Sequence, residues 1–114
     1  MSATIQVPHP IPEALAERIA QRFRVLGDAN RIRLLDQLRD GALSVGELVE
    51  RTGMSQQNAS KHLGVLLQAG IVSREKEGNR ARYAIADAGV FDLCEQVCGG
   101  LRSQARDLDL LFQA

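Results

Sequence analysis

Residues 55–64 read Ser-Gln-Gln-Asn-Ala-Ser-Lys-His-Leu-Gly, a run that places amide, hydroxyl and ammonium groups at helical spacing. Gln56, Gln57, Ser60 and Lys61 share one helical face with the small Gly64. Gln and Asn side chains pair bidentately with adenine edges, and Ser and Lys reach bases or phosphates. A helix carrying such a face fits the major groove of DNA, and a glycine on it permits close approach. Ser55, Asn58 and His62 complete the candidate DNA contacts on this helix. His62 is expected to pack or to touch a phosphate rather than to bind metal. Further along, Arg80 and Arg82 point outward from an alternating segment, where they would reach flanking phosphates or the minor groove.

A second chemistry resides in Cys94 and Cys98. Four residues apart, they stand one above the other on a helix. Two thiolates on one face, doubled by a second copy of the chain, could hold a soft metal or trivalent arsenic, or act as a redox switch. An intrahelical disulfide is awkward at this spacing, because the Cβ vectors run parallel. Both cysteines equally suit a packing role beside Val90, Val97 and Leu101, since free Cys is among the most buried residue types. Both readings remain open. The fold requires no cofactor, and no metal site is assigned beyond these thiols. His9, between prolines, is either solvated or an extra ligand in a dimer.

These groups need a scaffold. The chain has 114 residues, 45% of them hydrophobic, which suits one domain. Pro8, Pro10 and Pro12 mark residues 1–11 as an extended, flexible arm, leaving 12–114 as the folded domain. Leu15, Ile19, Phe23 and Leu26 recur at helical steps, opening a first helix at Pro12. Asp28 is placed to cap a second helix whose stripe is Ala29, Ile32, Leu35 and Leu38. Ser44-Val45-Gly46-Glu47 is a capping box for a third. Ser55 caps the fourth, which runs to about Ala69 with Ala59, Leu63, Leu66 and Leu67 inward. The period then changes to two, giving strands at 71–77 and 81–85 around Gly78-Asn79, a two-residue hairpin signal. Residues 88–112 form a last helix with Val90, Cys94, Val97, Leu101, Leu108 and Phe112 near one stripe. The expected order is α-α-α-α-β-β-α, a mainly α (α+β) winged helix-turn-helix. The apolar surface of the last helix calls for a homodimer interface.

The formal net charge is zero, with 14 basic and 14 acidic residues. That total hides a pattern. Residues 55–83 carry five cations against two acids, a local +3, and residues 84–114 carry a local −3. The basic segment is the helix and hairpin that would face DNA. No apolar run is long enough to cross a membrane, and the N-terminus has no secretory pattern, so a cytoplasmic location is expected. No Ser-His-acid order, glycine-rich phosphate loop or carboxylate pair stands out. The thiol spacing is not C-x-x-C, so an enzyme is not expected.

The stretches FRVLGDANRIRLLDQL and SVGELVERTGMSQQNASKHLGVLLQAGIVSREKEGNRARYAI resemble the ArsR/SmtB family of bacterial winged-helix repressors. The resemblance spans about residues 15–112. It rests on LGDANRIRLL, on S-K-H-L-x-x-L in the reading helix and on G-x-x-x-x-Y in the wing. It implies a homodimer formed through the first and last helices, a palindromic double-stranded operator, and a repressor released by an inducer.

The metal-binding patterns of that family are incomplete here. The C-x-C pair of the third helix is matched by ALSVGELVE, which has no Cys. Asp87 matches the Asp of the last-helix site, but Gly89 stands where His is expected. Gly100 and Ser103 occupy the distal pair, so the nitrogen ligands favoured by zinc are missing. The persulfide sensors pair a second-helix Cys with one in the last helix, and 28–40 has none. A module of this fold devoted to protein interaction, or a regulator without thiol sensing, is the alternative.

Overall fold

A computed structural model of the chain describes residues 5–105 and 111–113. The order is α1 Glu13–Leu26, α2 Ala29–Gln37, a 3-10 turn Leu38–Asp40, β1 Leu43–Ser44, α3 Val45–Thr52, α4 Gln56–Gln68, β2 Val72–Glu77, β3 Arg80–Ile85 and α5 Gly89–Gln104. It is the winged helix-turn-helix order with one added strand. β1 pairs antiparallel with β3, Leu43 against Tyr83 and Ser44 against Arg82, giving a sheet ordered β1-β3-β2.

Local chemistry accounts for the boundaries. Asp28 Oδ1 accepts from the Asn30 and Arg31 amides at 2.9 and 3.2 Å, capping α2. Ser44 and Glu47 exchange both bonds of a capping box. Ser55 Oγ accepts from the Asn58 amide at 3.1 Å and opens α4. Gly53 closes α3 with φ 76°, a left-handed cap that makes the turn of the helix-turn-helix. Gly78 takes φ 64° at the first position of the two-residue β2–β3 hairpin, as a type II′ turn requires.

The core gathers Leu34, Leu35 and Leu38 of the second helix and its turn, Leu48 of α3, Leu63 and Leu66 of α4, and Ile71, Val72 and Tyr83 of the wing. Two faces differ from expectation. In α2 it is Leu34 that turns inward, while Ile32 and Ala29 are exposed. A stripe of Ala29, Ile32 and Leu35 fits one helical face, but α3 and α4 pack over the adjacent one. α1 starts one residue after Pro12, which serves as its N-cap residue instead of its first turn.

α5 is also shorter than the 88–112 helix expected. It ends at Gln104, and Ala105 is extended. The Phe112 ring lies 5.5 Å from the Arg102 guanidinium. Leu108 lies outside the described residues. The first turn of α5 is anchored by buried Val90, and by the Arg39 guanidinium 4.6 Å over the Phe91 ring.

Candidate nucleic-acid interface

The face of α4 follows from what is buried beneath it. Ala59, Leu63 and Leu66 are fully enclosed. With those positions inward, helical geometry turns Gln56, Gln57, Ser60, Lys61, Gly64 and Gln68 outward, and all six are exposed. Asn58 is exposed as well, and so is Ser55, whose Oγ already accepts the capping bond. A Cβ added at Gly64 would meet nothing within 4 Å. The face is therefore smooth at its centre.

His62, read as a candidate DNA contact or a packing group, does not share this face. Only 8% of it is exposed, and Nδ1 accepts from Nε of Arg31 at 3.1 Å. Nε2 lies 3.9 Å from Asp28 Oδ1. His62 falls three residues after Ala59 and three or four before Val65 and Leu66, so the helix turn carries it toward α2. There it positions the reading helix.

Arg82, expected to point outward, does so only in part. Nη2 donates to the Ala42 carbonyl at 2.7 Å and Nη1 pairs with Glu77 at 3.3 Å, while Nε is buried with no hydrogen-bond partner among the described residues. The residue is drawn back over β1 because β3 pairs there, and it braces the wing rather than reaching from it. Arg80, beside the turn, is exposed as expected.

Three arginines nearer the N-terminus each spend an N–H on a backbone carbonyl of the fold. Arg31 Nη1 donates to the Val25 carbonyl at 2.9 Å, Arg33 Nη2 to Thr52 at 2.7 Å and Arg22 Nη1 to Ala69 at 3.0 Å. Each meets unpaired carbonyls at a helix C-terminus, where the helix dipole favours a cation. These bonds orient α1, α2, α3 and α4 around the turn, and sequence spacing carries no sign of them.

Cys94 is half-buried and Cys98 exposed. Burial, and then the neighbouring Cys98, push the Cys94 thiol above its ordinary pKa, with Arg39 opposing and Asp36 reinforcing. Asp87 Oδ1 accepts from the Gly89 amide at 3.0 Å, at the start of α5. Among the described residues no three His, Cys, Asp or Glu side chains gather as a metal site.

A helix-turn-helix with an exposed polar second helix and a β-hairpin wing defines a winged helix-turn-helix DNA-binding regulator. Comparison with known proteins agrees. A family model described as a helix-turn-helix domain matches residues 26–75. A probable mercury resistance operon repressor of Streptomyces lividans is 37% identical over 80% of this chain and 70% of its own length. The crystal structure of M. tuberculosis Rv0081 superposes with TM-score 0.72 at 34% identity, covering 81% of this chain and 96% of that one. A homodimeric winged helix-turn-helix domain from Mycobacterium bovis, described as a possible ArsR-family regulator, superposes with TM-score 0.70 at 30% identity, over 81% and 88%. The chain belongs to the ArsR/SmtB family of DNA-binding transcriptional regulators, a class without enzymatic activity.

Proposed function

We propose that the chain is a homodimeric repressor that reads a palindromic operator with paired α4 helices and releases it when an inducer binds. The observation that carries this reading is the exposed face of Gln56, Gln57, Ser60 and Lys61 backed by fully enclosed Ala59, Leu63 and Leu66. Gln57 and Ser60 contact base edges, Lys61 and Arg80 contact phosphates, and Asn58 and Ser55 lie at the entry of the helix into the groove. Dimerisation buries the apolar faces of α1 and α5. Phe23 is 54% exposed, Val97 52% and Leu101 45%, more apolar surface than a monomer of this size usually leaves wet.

The inducer site is placed at Cys94 and Cys98. The mercury-resistance relative supports a thiophilic signal, with Cys98 exposed and Cys94 half-buried one turn away on α5. Cys94 faces Arg39 and Asp36 at the end of α2, so a ligand held there acts next to the helix that carries Arg31. We place the protein in the cytoplasm, where its DNA lies. No helix among the described residues is long and apolar enough to cross a membrane. Gel shift on the duplex upstream of its own gene tests the reading. Salt-sensitive, sequence-preferring binding supports it, and its absence rules it out.

A further inference from the structure

A groove of about 790 Å³ lies between α1 and α4 and is separate from the wing. Arg18, Arg22 and Val25 recur on α1 at helical spacing, and Lys61, Gly64 and Gln68 recur on α4, so each helix turns one face into it. Three cations line the groove and no carboxylate does. Among the described residues Arg18 and Lys61 make no hydrogen bond or ion pair, and Arg22 spends one N–H on the Ala69 carbonyl. Lys61 and Gly64 belong at once to this groove and to the outward face of α4.

We propose that Arg18 and Arg22 of α1, with Lys61, form a phosphate-binding groove that takes the DNA backbone beside the major groove entered by α4. This rests on the reading of α4 given above. A helix in a major groove about 12 Å wide is flanked by phosphates on either side. The wing offers a cation to one flank through Arg80. The α1 groove offers three to the other, and the smooth surface at Gly64 lets the backbone approach Lys61 and α1 together. Guanidinium forks suit phosphate oxygens in pairs. The zero net charge of residues 1–54 conceals this site, because its acids lie outside the groove.

The test is fluorescence anisotropy of the full chain on the duplex upstream of its gene and on a scrambled duplex, across a range of KCl. Arg18 is exposed and, among the described residues, makes no hydrogen bond or ion pair, so Arg18→Gln leaves folding intact. Each substitution removes one phosphate contact from each protomer of the dimer, so the slope of log affinity against log salt falls by about 1.8 for Arg18→Gln and by about 3.6 for Arg18→Gln with Arg22→Gln, while the preference for the specific duplex is kept. Arg22→Lys, which keeps the charge, separates the phosphate role of Arg22 from its bond to Ala69 by retaining the wild-type slope. Wild-type slopes in Arg18→Gln and in the double variant overturn the proposal. If the wild-type chain binds neither duplex, the reading of α4 fails and this proposal falls with it. If it binds and only the slopes refuse to move, the groove alone is refuted.

Discussion

Arg31 on α2 donates through Nε to Nδ1 of His62 on α4 at 3.1 Å, and so links the supporting helix to the reading helix. The same guanidinium holds the end of α1 through the Val25 carbonyl, and Asp28, which caps α2, lies 3.9 Å from the other ring nitrogen. One partly buried cluster thus sets the angle of three helices. His62→Ala leaves the Arg31 donor unpaired in a half-buried place and opens a void, at a cost of roughly 2 kcal/mol. Thermal melting checks the loss. Because His62 faces inward, its loss acts through the placement of α4, so operator affinity falls as well as stability, and a variant that melts early yet binds operator like the wild type contradicts its positioning role.

Acid should unfold the chain partly through two capping carboxylates. The Arg31 backbone amide, then that of Asn30, holds Asp28 below its ordinary pKa, with some offset from desolvation. The Ser44 amide and then its hydroxyl do the same for Glu47. A carboxyl lowered in the folded state stabilises above its unfolded pKa, and this is lost as pH falls through the folded value. Melting temperature should therefore decline as pH drops below the ordinary values of 3.8 and 4.5. Asp28→Asn with Glu47→Gln keeps both caps uncharged and flattens that decline, and an unchanged profile refutes the assignment.

Gly64 makes two effects diverge. A methyl there meets nothing in the folded chain, and alanine gains about 1 kcal/mol of helix propensity over glycine. The same methyl stands on the face turned to DNA. Gly64→Ala should raise the melting temperature and weaken operator binding, and a variant that binds as well as wild type shows that close approach is not needed.

The two thiols should differ in reactivity. Cys98 is exposed, while burial and its neighbour keep the Cys94 thiol protonated to higher pH. Peptide mapping after brief alkylation at neutral pH should find Cys98 modified first. If these thiols sense the inducer, Cys94→Ser with Cys98→Ser binds operator normally and no longer releases it with Hg²⁺. Normal release in the double variant leaves both residues as packing groups.

What the sequence made legible was local. The Asp28 and Ser55 caps, the Ser44–Glu47 box and the Gly78-Asn79 hairpin all act within four residues, so their side-chain types announce them. The outward face of α4 was readable because its buried partners keep a 3.6-residue period. What escaped was long-range. β1 is two residues long and exists only through pairing with Tyr83 and Arg82, 40 and 38 residues away. That pairing is also what draws Arg82 onto Ala42. The inward turn of His62 depends on Arg31, thirty-one residues distant. The choice between Leu34 and Ile32 was made by α3 and α4, not by α2.

The central claim is that the polar face of α4 reads sequence. Anisotropy with the wild-type chain and Gln57→Ala, on the duplex upstream of its gene and on a scrambled control at fixed salt, tests it most directly. The account predicts a clear preference for the specific duplex in the wild type, reduced about tenfold in Gln57→Ala, with scrambled-duplex binding unchanged. Equal wild-type affinity for both duplexes, or an undiminished preference in Gln57→Ala, would contradict it.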